Sequence, residues 1–279
     1  MTQIQRTYNP NDEYVETTTN YQYNSENLLP SEIITTNSEG YTLKTKNYYP
    51  NDVTDSINLD DLGELLTTNE YNAIDKLKRV KDNGDPGDFK TSQPVQVESY
   101  KGSTLLSRQR TTFDTLSGLT LPKYIQTAKG SGMLEDRIQF HGYDAKGNPL
   151  EVSKADGSHI YYVWGYNGQH PIAKIENKNP TAITQTQQNL VNAAKTASNS
   201  DISPATENNL RTALANLRDG FPEAMVTTYT YDLLIGVTSV TDPKGYTMYY
   251  EYDGFNRLEF VRDADGKILS ENKYHYKGL

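Results

Sequence analysis

The sequence predicts a mainly β protein in which antiparallel hairpins of about 21 residues stack side by side into a continuous sheet. Two patterns predict this fold: a Tyr-Asp pair followed by a glycine recurs, and hydropathy alternates with a period of two between these points. The composition agrees, with 22 Tyr, 6 Phe and 1 Trp at a mean hydropathy of −0.76. Tyrosine buries a large ring and keeps a polar hydroxyl, as expected of sheets with one wet face.

The repeat has a fixed internal spacing. Three copies, which begin at Tyr143, Tyr231 and Tyr252, place a glycine 14 positions after the tyrosine. Tyr231 and Tyr252 are 21 positions apart, as are Tyr143 and Trp164, and a weaker, stretched copy covers 20–49. The strands are separated by DAKG, KADG, DPKG and DADG, whose residues are typical of tight turns. One such hairpin cannot bury its own apolar face, so neighbouring units must complete the sheet.

Two regions break the β pattern and are predicted to be helical. The first is 59–82, which ends at the turn-rich segment 83–88. The second is 181–220, which we interpret as a helical hairpin that covers a sheet edge or face.

The second helix of this hairpin carries clear start and stop signals. Ser203 is a candidate N-cap, Pro204 fits the first helical position, and Gly220 and Pro222 follow the last turn. Its apolar residues recur at helical spacing: Leu210, Ala213, Leu214 and Leu217. A weaker helix at 183–197 precedes it and places three apolar residues on one face: Leu190, Val191 and Ala194.

We expect four segments within one continuous domain. They are a weak repeat with a partly helical cap at 1–93, a repeat β segment at 94–180, the helical insertion at 181–222 and a second repeat β segment at 223–279. The residues leave open whether 1–93 belongs to the same sheet.

Charge and composition argue against several classes of function. The net charge is −9 with both signs mixed along the chain, and no Lys/Arg cluster of a nucleic-acid binder is present. The absence of cysteine excludes disulfides, thiolate metal sites and cysteine nucleophiles. No apolar run reaches the ~18 residues of a transmembrane helix. The N-terminus lacks the pattern of a signal peptide, so we expect an exported chain to be part of a longer protein.

The histidines and carboxylates predict no catalytic, cofactor or metal site. Four histidines are present: His141, His159, His170 and His275. They show neither a metal-ligand spacing nor a consistent carboxylate partner. The carboxylates Asp60-Asp61 and Asp263/Asp265 are interpreted as helix-start or turn residues. We therefore expect no enzyme activity and no cofactor.

Two aspartate-containing turns could be given a chemical role. DPKG at 242–245 is interpreted as a repeat turn rather than a self-cleavage site, because Pro243 fits the second position of a tight turn. DADG at 263–266 lacks the further oxygen ligands of a calcium-binding loop.

The aromatic stripe is the one candidate binding feature. If Trp164, Tyr250 and Tyr252 face solvent, they offer flat platforms on which sugar rings can stack. If they face inward, they line the sheet as a ladder. Because the repeat places an aromatic residue at the same position in successive units, we favour the ladder.

The 21-residue unit resembles the Rhs/YD-repeat family. The resemblance is carried by YDAKGNPLEVSKADGSHIYYVWGYNGQHPIAKIEN at 143–177 and by YTYDLLIGVTSVTDPKGYTMYYEYDGFNRLEFVRDADGKILSENKYHY at 229–276. The helical insertion, and YYP at 48–50, resemble the C-proximal part of large Bacteroidetes-type repeat proteins, here without a toxin domain. The resemblance covers nearly the whole chain and is strongest after residue 140.

The resemblance implies a secreted or cell-surface shell whose strands spiral into a container, which in toxin-bearing members holds a C-terminal effector. For this chain it implies a non-catalytic scaffold segment, a spiralling sheet or partial shell, located outside the cell. The implied partners are flanking domains of a longer chain or an effector cargo, and neither nucleic acid nor a membrane span. A carbohydrate-binding or adhesion module that contacts surface glycans is the alternative.

Overall fold

A computed structural model describes residues 1–25, 27–53, 66–116, 118–176 and 183–275. Within these residues the protein is mainly β, as predicted, with 16 antiparallel strands whose order in the sheet follows their order in the chain. Such a meander is the arrangement that stacked hairpins produce, since sequential strands then pair with each other. The chain divides into two compact units, Met1–Phe140 and His141–Leu279, with the boundary inside the predicted segment 94–180.

In its described residues the first unit contains eight strands, one α-helix and a short 3-10 helix at Pro50–Asp52. The strands are β1 (Thr2–Tyr8), β2 (Tyr14–Tyr23), β3 (Pro30–Thr36), β4 (Thr42–Tyr48), β5 (Gln96–Lys101), β6 (Thr104–Leu116), β7 (Leu119–Lys129) and β8 (Glu135–Tyr143), whose last residues are counted with the second unit. Helix α1 (Thr68–Leu77) lies between β4 and β5 in the chain. Because β4 pairs directly with β5, the first four strands belong to the same sheet as β5–β7.

Helix α1 is shorter than the predicted helix 59–82. Thr67 caps its start, with its hydroxyl accepting from the Glu70 amide, whereas residues 54–65 lie outside the described residues. The helix ends at Leu77 because the next residue, Lys78, has an extended backbone and its buried ammonium group contacts Asp75 and Asp82 at 3.1 and 2.6 Å. The apolar side of α1 packs into a small core with five buried or partly buried positions outside the helix: Val53, Leu66, Val95, Phe113 and Tyr48.

A row of alternating charges crosses four neighbouring strands of the first unit. Glu32 on β3 lies opposite Lys46 on β4, which lies opposite Glu98 on β5, which in turn lies opposite Arg108 on β6. Glu98 and Arg108 are each only 1% exposed. Residues directly opposite on adjacent strands can interact through their side chains, so this row places opposite charges side by side across the four strands.

The second unit begins near the end of β8, and the part of it that the structure describes contains eight further strands, two α-helices and a short 3-10 helix at Tyr166–Gly168. The strands are β9 (Pro149–Lys154), β10 (His159–Gly165), β11 (His170–Glu176), β12 (Met225–Asp232), β13 (Gly236–Thr241), β14 (Thr247–Tyr252), β15 (Leu258–Arg262) and β16 (Ile268–Glu271). Helices α2 (Gln185–Asn199) and α3 (Pro204–Asp219) lie between β11 and β12 in the chain. The predicted helical hairpin is therefore present, although 181–182 lie outside the described residues.

The start of α3 is as predicted, and its end has a different cause. The Ser203 hydroxyl accepts from the Thr206 amide, and Pro204 is the first helical residue. Gly220 follows the helix with a right-handed φ of −73°, so it does not serve as a left-handed cap. A Cβ atom there would collide with the side chain of Leu190 on α2, so the glycine permits close packing of the two helices.

The two helices cover a face of the sheet. The core they form with β10, β11 and β12, called here the helix-covered core, contains Val163, Tyr166, Ile172, Ala173, Ile175, Val191, Ala194, Leu210, Leu214, Leu217, Phe221 and Val226. Three of the four apolar residues predicted for α3 are buried in it, and Ala213 packs partly against it. The insertion thus supplies apolar area that a single hairpin lacks.

Gly165 on β10 lies close to Ser198 of α2 and to Ile172 of β11. A Cβ atom built on Gly165 would lie 2.6 Å from Ile172 Cγ2 and would also collide with the Ser198 hydroxyl. We expect Gly165→Ala to lower the free energy of unfolding by about 2 kcal/mol through overpacking. Gly142→Ala is the matched control, since a Cβ there meets open space. Equal thermal stability of the two variants would contradict this packing.

Candidate functional site

One tight turn recurs throughout the second unit. At Asp242 the backbone carbonyl accepts from the Gly245 amide at 3.0 Å, and the carboxylate accepts from the amides of Lys244 and Tyr246, each at 2.9 Å. The fourth position has a left-handed backbone, with φ +92° at Gly245, which glycine adopts without strain. The Asp242 amide also donates to the Tyr246 carbonyl at 2.9 Å, so 243–245 form a three-residue hairpin connection with a left-handed last residue. The interpretation of DPKG as a turn is confirmed.

The same turn forms at the Tyr-Asp pairs, which explains the length of the repeat. The carboxylates of Asp144 and Asp253, in Tyr-Asp pairs, and of Asp263, in the DADG turn, each accept from the amides two and four positions later, at 2.8–3.1 Å. Asp232 begins a related turn, with its carboxylate accepting from the Leu234 amide. Turns therefore begin at 232, 242, 253 and 263, so that two strands and two turns occupy 21 positions. The bonds to Asp263 also show that DADG serves as a turn.

The aromatic residue before the turn forms a hydrogen bond to the preceding strand. Trp164 Nε1 donates to the Pro149 carbonyl at 2.8 Å, and the hydroxyl of Tyr252 donates to the Val237 carbonyl at 2.9 Å. Tyr231, at the corresponding position of another unit, makes the same bond to Pro171 at 2.9 Å. We call each of these contacts an aromatic latch.

Each of these latches coincides with a bulge toward the following strand. The register shifts between Val163 and Trp164 on β10, at Tyr231 on β12, and at Tyr252 on β14. A bulge bends its strand and increases the local twist. The aromatic side chain at the bulge donates its hydrogen bond to the preceding strand, on the side opposite the bulge. The latch and the bulge therefore form one structural device that recurs with the repeat.

The three predicted stacking residues are all half-buried in the structure. Trp164 and Tyr252 are latch residues, whereas Tyr250 lies on β14 opposite Val261 of β15. Within the described ranges, none of the three makes a ring-to-ring contact. Burial, followed by the nearby Tyr250, raises the pKa of Tyr252, which keeps its hydroxyl protonated as a donor. The ladder and glycan-stacking interpretations both remain predictions.

Tyr231 also belongs to a small aromatic cluster. Its ring stacks on His170 with centroids 4.7 Å apart and meets Tyr166 edge to face at 5.7 Å. The Tyr166 hydroxyl donates to the Asp201 carboxylate at 2.8 Å and accepts from the Tyr231 amide at 3.0 Å. Burial raises the pKa of Tyr231 to about 12. The cluster joins the end of β12 to the α2–α3 connection.

Removal of one latch hydroxyl is expected to weaken the second unit. Tyr252→Phe leaves the Val237 carbonyl without this donor and should lower the free energy of unfolding by about 1 kcal/mol. Tyr250→Phe is the matched control, because the Tyr250 hydroxyl makes no hydrogen bond within the residues that the structure describes; its change should stay within about 0.5 kcal/mol. Denaturant unfolding followed by Trp164 fluorescence measures both, and an equal loss would show that the latch contributes nothing.

The structure brings two histidines and a carboxylate together. His159 Nδ1 lies 2.6 Å from a carboxylate oxygen of Glu151, and the His159 and His141 rings stack with centroids 5.2 Å apart. The expectation that no histidine has a carboxylate partner is therefore wrong for His159. His170 lies in the aromatic cluster and His275 is exposed. Asp60 and Asp61 lie outside the described residues.

The described residues include no helix long and apolar enough to cross a membrane. No protein-family model matches the sequence, and no curated protein matches it either.

Solved structures of toxin complexes are similar to the chain over most of its length. One is TcdB2-TccC3 without its hypervariable C-terminal region, at 11% identity and a TM-score of 0.33, covering 96% of this chain and 15% of that one. A second is TcdB2-TccC3, at 14% identity and a TM-score of 0.33, covering 96% and 16%. A third is the Tc holotoxin pore of Photorhabdus luminescens, at 13% identity and a TM-score of 0.33, covering 95% and 13%. The chain thus spans less than a fifth of the length of these three structures.

Proposed function

We propose that this chain is a non-catalytic structural segment of a β-sheet wall in a larger secreted or cell-surface protein of the Rhs/YD-repeat type. The recurring turn, bulge and aromatic latch are the observation that carries this proposal. A unit repeated in this way extends a sheet by two strands each time. Repetition therefore enlarges and curves the sheet rather than building a single reactive centre.

The side chains that could serve recognition are largely engaged in the repeat. The carboxylates of Asp144, Asp242, Asp253 and Asp263 accept backbone amides within their turns. Trp164 and Tyr252 donate to the backbone of the preceding strand. These contacts favour a structural role for the very residues that define the repeat.

The two end strands support continuation of the wall. β1 and β16 occupy the ends of the strand order, and every residue of both is exposed. An exposed edge strand presents unpaired backbone groups that a further strand can take up. We propose flanking domains of a longer chain as the partners at these edges. We also propose that the completed wall lies outside the cell and encloses an effector cargo.

Duplication of one unit tests the proposal. A second copy of residues 232–252, inserted after Tyr252, keeps the Tyr-Asp junction and the turn spacing. A wall segment should accept it, with a proportional gain in β signal by circular dichroism and an unchanged Trp164 emission maximum. The matched control is a 20-residue copy that lacks one strand residue, because a shift by one position exchanges the two faces of the strand.

Two outcomes would contradict the proposal. If the 21-residue and 20-residue insertions destabilise the protein equally, the unit is not an extension module. If glycans change Trp164 fluorescence in a saturable way, the adhesion alternative is favoured, because a wall segment predicts unchanged emission across a broad panel of sugars.

A further inference from the structure

We propose that His141, Glu151 and His159 form a binding site for one divalent transition-metal ion, with Zn²⁺ as the favoured ion. Each residue offers one ligand atom, and these atoms all lie within 4.8 Å of one another. The inference does not depend on the proposed wall function.

Three successive strands bring the residues to one face of the sheet. His159 on β10 is directly opposite Ser153 on β9, and Glu151 is two positions from Ser153 and therefore on the same face. His141 on β8 reaches the same place, with Nε2 at 2.7 Å from the Ser153 hydroxyl oxygen. The two imidazole rings stack at 5.2 Å with an angle of 23° between their planes. Backbone pairing thus fixes the positions from which the side chains converge.

The charge balance at the cluster favours a cation. The Glu151 side chain is only 15% exposed, and that of His159 is 28% exposed. Among the ion pairs of the described residues, His159 is the partner of Glu151, and neither lysine nor arginine joins them. A largely buried carboxylate is costly unless a positive group compensates it. A metal ion would supply that charge, and exposed His141 leaves it a path from solvent.

The donor set identifies the class of ion. Two imidazole nitrogens and one carboxylate oxygen suit Zn²⁺, Cu²⁺ and Ni²⁺ better than Mg²⁺ or Ca²⁺, which prefer oxygen ligands. Zinc bonds of ~2.1 Å place tetrahedral ligands about 3.4 Å apart. On binding, the distance between the Glu151 carboxylate oxygen and His159 Nδ1 must therefore increase from 2.6 Å. The widest distance between two ligand atoms, up to 4.8 Å, must decrease.

Three protein ligands would leave one coordination position for water. An imidazole binds a metal ion through a deprotonated nitrogen, so binding releases to solvent any proton that these nitrogens carry. With Nδ1 of His141 as the ligand atom, Nε2 would keep its contact with the Ser153 hydroxyl, which would hold the ring in place as outer-shell partners do in other metal sites. Bound metal would thereby join β8, β9 and β10 through their side chains.

Titration of the full chain with ZnCl₂, followed by calorimetry, tests the site. We expect one ion per chain, with affinity at least tenfold weaker in His159→Gln and in His141→Gln. His275→Gln is the matched control and should bind as the wild type does, since His275 is an exposed histidine outside the cluster. The proposal would be overturned if the wild type showed no saturable binding of Zn²⁺, or if all four proteins bound Zn²⁺ with equal affinity.

A measurement on the wild type alone guards against variants that do not fold. Imidazole ¹H–¹⁵N correlation spectra should show shifts for two of the four histidines on addition of Zn²⁺, and EDTA should reverse them. Shifts of all four, of none, or of a pair other than His141 and His159 would overturn the assignment.

Discussion

Leu217→Ala is expected to lower the free energy of unfolding of the second unit by about 3 kcal/mol. Leu217 lies in α3 with none of its surface exposed and belongs to the helix-covered core. Its truncation removes apolar contacts and leaves a cavity, because α2, α3 and the sheet are held by several other core residues and cannot collapse fully around the gap. Denaturant unfolding monitored by Trp164 fluorescence reports on this unit, since the single tryptophan lies in β10.

A leucine on the surface of the same unit provides the control for Leu217. Leu234 is 92% exposed at the turn between β12 and β13. Leu234→Ala should change the free energy of unfolding by no more than about 0.5 kcal/mol. If Leu217→Ala were as mild, the helical insertion would be an appendage and not part of the core that stabilises the strands.

Glu98→Ala is expected to lower the free energy of unfolding of the first unit by about 3 kcal/mol. The buried carboxylate of Glu98 accepts from the hydroxyls of Tyr100 and Tyr48 at 2.6 and 3.1 Å and from the Gln96 amide at 3.0 Å. It also lies between Lys46 and Arg108 in the row of alternating charges. Its removal leaves these three donors without their acceptor and takes away the negative charge between the two cations, which is more costly than the loss of the bonds alone. Thermal unfolding by circular dichroism, with hydrogen exchange of the β5 and β6 amides, measures the loss.

One further variant separates charge from hydrogen bonding at Glu98, and a second provides an exposed control. Glu98→Gln keeps an acceptor oxygen and should lose less stability than Glu98→Ala. Glu135→Ala removes an exposed carboxylate paired with Arg137 and should change stability by no more than about 1 kcal/mol. A loss at Glu98 as small as that at Glu135 would mean that the charge row does not stabilise the register.

Local signals made much of the fold predictable. The strands follow from alternation and turn residues, both of which lie within a few positions of the structure they determine. The start of α3 at Ser203 and Pro204 follows from capping chemistry in the same way. The end of α1 at Leu77 could not be read from the sequence, because it depends on ion pairs that Lys78 makes with residues on both sides of it.

Contacts between strands made the rest hard to predict. The sequence shows an aromatic residue every 21 positions but not that Trp164 and Tyr252 donate to the backbone of a neighbouring strand. Both latches join residues 15 positions apart, a spacing that becomes informative only once the register is known. The cluster of His141, Glu151 and His159 was missed for the same reason, since its members lie on three strands.

The central claim is that the hairpins depend on their neighbours, and graded truncation tests it most directly. Removal of 257–279 takes away β15 and β16, which contribute no residue to the helix-covered core as described. Removal of 226–279 also takes away β12, which pairs with β11 and contributes Val226 to that core.

The measurement is cooperative unfolding followed by Trp164 fluorescence in chains 1–256 and 1–225. We predict that 1–256 keeps a native emission maximum and a single transition at a moderately lower midpoint. We predict that 1–225 loses the transition and shows the red-shifted emission of a solvated indole. A chain 1–225 with the native emission and an unchanged midpoint would contradict the account.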